Sequence, residues 1–370
     1  MAKGAYIGIN SQAAKIKKIY VGIDGIAQKV KRAYIGVNGV AQLWWTGGEL
    51  KYAGTATSLS VARYSLNATH VGNYALFGAG YNSANNTSAR SALDVYDVSL
   101  TRTALTSTTE RLSAATHVGD YALFGGGAIG GATSRTVAYD ISLTETIPTP
   151  LSTARYSLAA THVGDYALFG GGLKVDSYDD NGDPIPSNSN VVDAYNVSLT
   201  RTTPDRLEAY GDGIVATHVG DYALFVGGTS SGNYTTAYNT SLTKIIPSSS
   251  SGGYLTSAHV GNYALFVNNA CDICVYNASL TRTIVTPLST ARYSLAATHV
   301  GDYALFGGGC GRDVSVTYDT VDAYDASLVR TIPTPLSASR RNLAATHVGN
   351  YALFAGGLSI TATVDVYTID

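Results

Sequence analysis

Residues 291–309 read ARYSLAATHVGDYALFGGG, and residues 154–172 repeat them letter for letter. The phrase THVG(D/N)YALF inside them occurs six times along the chain, and a seventh copy, at 258–266, reads AHVGNYALF. Its histidines are His70, His117, His162, His218, His259, His299 and His347. They are all the histidines present, and they recur every 40–56 residues. Repeats of that period mark propellers and solenoids, whose units bury apolar surface against their neighbours. Function is then to be sought in what differs between copies.

Within one copy, SLAATHV reads as a short strand. A Gly-Asp or Gly-Asn pair follows, and glycine first in a two-residue loop suits a type II′ hairpin. YALF is the second strand, ended by glycines that permit positive φ or close approach. VDAYD reads as a third strand with its tyrosine buried. TIPTPL reads as the fourth, an edge strand, because proline cannot donate to a ladder. Four antiparallel strands make one propeller blade.

The spacings separate frame from variation. From each histidine to the phenylalanine of YALF is always seven residues. From the third-strand tyrosine (Tyr96, Tyr139, Tyr195, Tyr238, Tyr276, Tyr324) to the next histidine is 21 or 23. From the phenylalanine to that tyrosine the count runs from 10 to 26, so length variation concentrates between strands two and three. The last copy stops at VDVYTID without a fourth strand, while KYAGTATSLSVARYSL aligns with a fourth strand plus the lead into a blade. Residues near 51–60 are therefore expected to supply the missing outer strand and close the ring, which removes open edges.

The diglycine after strand two, the strand-three tyrosine and an arginine before strand one (Arg63, Arg155, Arg292, Arg340) resemble kelch-repeat β-propellers over about residues 50–370. The expected fold is all-β: a seven-bladed kelch-like β-propeller at 47–370, closed by an N-terminal outer strand and preceded by a β-hairpin repeat module at 1–46. Two departures from the kelch pattern stand out. The strand-four tryptophan is replaced by the Ile-Pro/Pro-Leu pattern. The fifth copy has VNNACDIC in place of the glycines, which predicts a locally irregular blade.

Residues 1–46 align as three units, AYIGINSQAAKIKK, IYVGIDGIAQKVKR and AYIGVNGVAQLWW, each strand, tight turn, strand. Asp24-Gly25 and Asn38-Gly39 are strong hairpin signals, with Asn10-Ser11 in the third place. The tract carries a balance of +6 within a chain of net charge −2. Its lysines guard strand edges or meet an acidic surface. An isolated hairpin is marginal in water, so the module needs a partner, and Trp44-Trp45 could anchor it to the propeller. The tract is similar to short Tyr-(Ile/Val)-Gly-(Ile/Val)-(Asp/Asn)-Gly repeats at the start of phage and prophage structural proteins of Gram-positive bacteria. That resemblance implies attachment to a tail or baseplate protein through residues 1–46. It also implies a place in a virion or tail-like particle, made in the bacterial cytoplasm and released by lysis, and a homo-oligomer, a trimer, templated by the hairpins.

Charged residues are few (14%), and the overall charge gives no general preference for nucleic acid. The start MAKGAYIGIN lacks an apolar secretion core, and no apolar run is long enough to span a membrane, so neither nucleic acid nor membrane insertion is expected. The histidines occupy one equivalent position seven times, which offers one role rather than the several that catalysis needs. The expected role is a hydrogen bond from a buried imidazole to a neighbouring backbone group; a ring of seven is too wide for a metal's coordination shell. Copper chemistry of the galactose oxidase kind would require a histidine outside the repeat positions. Cys271-x-x-Cys274 has redox spacing without the following helix, and the expected state is free thiols. The loop DSYDDNGDPIPSNSN loosely resembles a calcium loop but lacks the alternation and closing glutamate. No catalytic residue, metal or cofactor is expected.

In an up-and-down blade, the loops joining strands two and three share a face with those joining strand four to the next strand one. The first set is variable, and the second carries Arg-Tyr pairs. Candidate ligand-binding residues are therefore Arg63, Tyr64, Arg155, Tyr156, Arg292, Tyr293 and Arg341, with Asp176, Tyr178 and Asp179 of the longest loop at 173–192. Tyrosine supplies area and a hydroxyl, arginine a planar donor fork. The alternative for each arginine, as in kelch repeats, is a structural tie that holds blades together. The expected function is non-catalytic binding of a host cell-surface glycan or protein by a phage tail component. The alternatives are a general kelch-like interaction scaffold and a carbohydrate-active propeller with paired carboxylates.

Overall fold

The structure, a computed structural model, describes residues 48–82, 91–106, 112–128, 131–229, 232–249, 253–358 and 361–369, together with six short N-terminal strands. Those six pair as three antiparallel hairpins, Tyr6–Ile9 with Gln12–Lys15, Ile19–Ile23 with Ile26–Val30, and Arg32–Val37 with Val40–Thr46. The two-residue turns between them, and the side chains of Trp44 and Trp45, lie outside the described residues.

Seven four-stranded antiparallel sheets follow, each in simple up-and-down order from an inner to an outer strand. In the first blade these strands are Asn67–Val71, Tyr74–Gly78, Ala92–Asp97 and Arg102–Thr106. The seventh blade takes its outer strand from the other end of the propeller segment. Leu50–Ala56 pairs with Val364–Ile369, with Val364 opposite Ala56 and Ile369 opposite Leu50. Tyr52 donates to Asp365 Oδ1 at 2.6 Å, its ring lies 5.3 Å from that of Tyr367, and Leu59 N–H reaches Ala362 O at 2.8 Å. The ring is closed as the sequence alignment of 51–60 anticipates.

Seven apolar clusters fill the spaces between neighbouring blades. Each is built alike. The Ala and Phe of YALF and the strand-three tyrosine of one blade pack on the Leu of YALF and the valines of the blade before. All seven phenylalanines are fully buried, each worth roughly 2–3 kcal/mol of transfer free energy. The phenylalanine and tyrosine of a blade meet edge to face, 5.8–6.3 Å apart. The tyrosine hydroxyl then crosses to the preceding blade: Tyr96 donates to Thr57 O, Tyr195 to Thr149 O and Tyr367 to Thr334 O, each at 2.7 Å.

The hairpin glycines have φ between +49° and +53°, while the Asp or Asn after them stays at negative φ, as a type II′ turn requires. A side chain there would also strike the next blade, since a Cβ on Gly72 would lie 3.2 Å from Ile141 and one on Gly119 would lie 3.1 Å from Val197.

One expectation needs correction. The fourth strand is not TIPTPL. In blades two, three, four and six it is only a residue pair that stops at the first position of that motif, Glu145–Thr146, Arg201–Thr202, Lys244–Ile245 and Arg330–Thr331. The step to proline that follows, Ile-Pro in blades two, four and six and Thr203-Pro204 in blade three, ends the ladder, because proline has no N–H to give and restrains the residue before it. The first blade, which lacks that proline, carries its outer strand on to Thr106. The fifth blade keeps all four strands and is locally irregular as expected, with a register shift between Tyr254 and Thr256 and Cys271 at a φ of +65°. Asn268 Oδ1 accepts from Ala270 and Asp272 N–H at 2.9 Å, a tight turn that leads directly into Ile273–Asn277. Cys271, Cys274 and Cys310 are buried free thiols.

The inner strands line an axial channel, and the histidines form a closed ring around it. Consecutive imidazole centres lie 3.9–4.2 Å apart from His70 through His347 and back to His70. Their planes are inclined by 47–53°, close to the step of about 51° that a sevenfold rotation imposes, so each ring stands upright, parallel to the axis. The expected hydrogen bond to a neighbouring backbone group is absent among the described residues; the contact that joins blades here is imidazole against imidazole.

Candidate binding face

The two loop sets do lie on one face, tied to each other by backbone. Tyr64 and Tyr81 exchange N–H···O bonds of 2.9 Å, Tyr156 pairs with Leu173, Tyr293 with Cys310 and Arg341 with Leu358. In each pair the first residue enters a blade and the second begins its variable loop. The other face carries only hairpin turns and the short turns between strands three and four. In these an Asp or Asn caps two N–H groups: Asp97 Oδ1 accepts from Ser99 at 2.8 Å and Thr101 at 2.9 Å, and Asn196, Asn239, Asn277 and Asp325 repeat this.

The arginines expected to contact ligand do not reach solvent. Arg63, Arg155 and Arg292 are 0% exposed, as is Arg340. Each closes on the strand-three aspartate of its own blade: Arg63 on Asp94 at 2.8 Å, Arg155 on Asp193 and Arg340 on Asp365 at 2.5 Å, and Arg292 on Asp322. Each also donates to backbone at the end of strand two, Arg63 to Phe77 O at 2.9 Å and Arg292 to Gly308 O at 2.8 Å. The same aspartates hold the incoming loop, accepting from the N–H of Ser60, Ser152, Ser289 and Ser337 at 2.9 Å. The structural role is realised, with one correction: a guanidinium that meets a buried carboxylate and strand-two backbone of its own blade is a tie within the blade, not between blades.

A signal for this stands in the sequence. The four blades with the arginine have Asp two residues before the strand-three tyrosine; the other three have Val137, Thr236 and Cys274 there. Thr236 takes over one part of the role, accepting from Glu208 N–H at 3.0 Å. Removing one partner strands the other charge. Asp322→Ala is expected to cost about 3–5 kcal/mol, seen as a lowered melting temperature, with Arg292→Met in the same chain restoring part of it. An unchanged melting temperature in the single variant would refute the tie.

What remains open to solvent is different. Tyr64, Tyr156, Tyr293 and Arg341 are half-buried, and Arg312 Nε donates to the Tyr293 hydroxyl at 3.3 Å. The longest loop is a two-stranded sheet of its own, Leu173–Tyr178 with Pro184–Asn188. Tyr178 is 66% exposed on it, and Asp176 and Asp179 are exposed too. Their carboxylates serve the hairpin. Asp176 meets Lys174 Nζ at 2.6 Å and accepts from Ser187 at 2.7 Å, contacts that hold its carboxyl below the usual range. Asp179 Oδ1 accepts from Asn181 N–H at 2.9 Å and Asp183 N–H at 2.8 Å. Among the described residues no cluster of His, Cys, Asp or Glu has the arrangement of a metal site.

At the centre of this face the channel opens into a vestibule of about 360 Å³, lined by small side chains such as Asn67, Ser113, Ala115, Ala160, Ala216 and Ser257. A neighbouring hollow of about 320 Å³ runs between Tyr81 and Tyr156 and shares Asn67 and Ser113 with it. The alternation of the inner strand places the histidine two residues below this layer, toward the short-turn face. Sequence spacing alone did not point to the vestibule, because its lining is the least distinctive part of the repeat.

No helix of the described residues is long and apolar enough to cross a membrane. No family model matches the sequence, and no curated protein matches it. Among solved structures, "Structure of YjhT" aligns with 85% of this chain and 99% of that chain at a TM-score of 0.53 and 12% identity, a likeness of fold alone. The chain is a seven-bladed β-propeller.

Proposed function

We propose that this propeller is a non-catalytic binding protein of kelch-like build. In this reading it is a phage tail or tail-like-particle component that recognises a host cell-surface glycan or protein through its variable-loop face. The observation that carries this is the asymmetry of the two faces. One repeats a single pair of short turns; the other holds loops of unequal length, an exposed aromatic hairpin and two adjoining hollows. Rigid frames that confine variation to one face are built for recognition. Tyr178 at the hairpin and the half-buried Tyr64, Tyr156 and Tyr293 present the amphipathic area that glycan and protein contacts use. Residues 1–46 supply the attachment side of the reading: a basic tract of three hairpins docks on a tail or baseplate protein, and a trimer is the expected assembly. The particle would be released by lysis of the bacterial cell.

The test is binding of fluorescent protein to intact cells of the bacterium whose phage or prophage encodes it. Replacing residues 174–187 by a two-residue Asn-Gly turn should reduce binding about tenfold or more, the loss of roughly 1.4 kcal/mol or more that one anchoring aromatic provides. The melting temperature should be unchanged. Undiminished binding would move recognition away from this hairpin.

A further inference from the structure

We infer that the histidine ring is a binding site for a small inorganic monoanion of halide size, held on the propeller axis below the vestibule. Seven ring centres 3.9–4.2 Å apart in a closed heptagon place each centre about 4.6 Å from the axis and the inner ring atoms about 3.5 Å from it, too far for a metal–nitrogen bond of about 2 Å. That is the reach of an N–H donor to a large monatomic ion. The rings stand upright and face one another, so their edges point at the axis.

The nitrogens are available. No hydrogen bond ties an imidazole to another protein group among the described residues, and no imidazole nitrogen is a sealed, unpartnered atom, so they open onto channel space. Each neutral imidazole still has one N–H to give. Seven donors therefore surround one point with no protein acceptor competing for them.

The ring also lacks any protein counter-charge. Opposite each histidine on strand two stands an alanine, Ala75, Ala122, Ala167, Ala223, Ala264, Ala304 or Ala352. The layer above is small and uncharged, chiefly alanine. The nearest carboxylates, Asp120, Asp165, Asp221 and Asp302, sit in the hairpin turns beyond and are not among the groups that shift the imidazoles; only burial and the other histidines do so. An anion on the axis meets all seven dipoles at once and would also offset any proton the ring takes up. The site does not depend on what the loop face recognises.

The test compares the full chain in sodium chloride, bromide and gluconate at equal ionic strength. Binding to the folded ring stabilises it by mass action, so chloride and bromide should lower the pH midpoint of acid unfolding by about half a unit or more relative to gluconate. A general salt effect runs the other way, since strongly hydrated anions favour the folded state. Crystals grown in bromide should show an anomalous peak on the axis among the imidazoles. Equal midpoints in the three salts, gluconate as the most protective, or bromide peaks at the surface only, with an empty axis, would each overturn the assignment.

Discussion

Taken from pH 7 to pH 4 in a gluconate buffer, the propeller is expected to unfold, with a midpoint near pH 5. The cause is the ring. Burial and mutual repulsion press the imidazoles down, His117 and His347 to about 4 and His259 to about 3, with His162 and His218 at about 2 and His70 and His299 displaced in the same direction. An unfolded histidine titrates near 6.5. Below that value the unfolded chain binds protons that the folded ring refuses. The stabilisation is therefore complete above about pH 6.5 and is lost as pH falls toward the folded values. Each refused proton costs about 1.4 kcal/mol per pH unit, so the ring loses of the order of 5–10 kcal/mol per unit. That compares with a total stability of about 5–15 kcal/mol for an ordinary domain. Tyrosine circular dichroism against pH reads the transition. The double substitution His162→Gln/His299→Gln should make it shallower. A fold that persists below pH 3 would contradict this account.

Removing residues 48–58 is expected to open the ring. The deletion strips the outer strand Leu50–Ala56 from the seventh blade, with the Tyr52–Asp365 hydrogen bond and the Tyr52–Tyr367 contact, and leaves Val364–Ile369 as an exposed edge. About six ladder positions are lost; at roughly 1 kcal/mol per hydrogen bond the direct cost is of the order of 5 kcal/mol. The indirect cost is larger, because a closed array ties the fate of each blade to both neighbours. Calorimetry should show a single sharp melt replaced by a broad, lower one, with aggregation through the bare strand. Deletion of residues 1–46 alone is the control and should leave the melt sharp. A sharp melt at the original temperature in the longer deletion would show that closure lies elsewhere.

Blade number and ring closure were legible because they follow from invariants. The seven-residue step from histidine to phenylalanine can only be a hairpin, and residues 51–60 align with the fourth strand and lead-in of the other copies, which is the strand that pairs with Val364–Ile369. The strand-three tyrosine was legible as core for the same reason. What escaped was everything set by a partner from another part of the chain. Arg155 beside Tyr156 resembles a recognition pair until Asp193 is placed against it. The Ile-Pro pattern resembles an edge strand until the missing N–H at Pro148 is counted, after which the ladder ends at Thr146. The imidazole ring was the hardest to read. The repeat implies a ring of seven, but how closely its members stand is set by the sevenfold rotation and by no single repeat, so a backbone partner is expected where the neighbouring imidazole is found.

The long hairpin joins its blade through a short stem. Tyr156 and Leu173 exchange two backbone bonds, Ser189 N–H reaches Gly172 O at 2.9 Å, and Gly172 N–H reaches Gly211 O at 2.9 Å. None of these contacts involves a side chain from 174 to 188, so the stem holds its shape whatever sequence is carried between its ends. The propeller is therefore a natural chassis for grafting: foreign peptides exchanged at this stem would be displayed in a fixed orientation, while the blades beneath remain as they are.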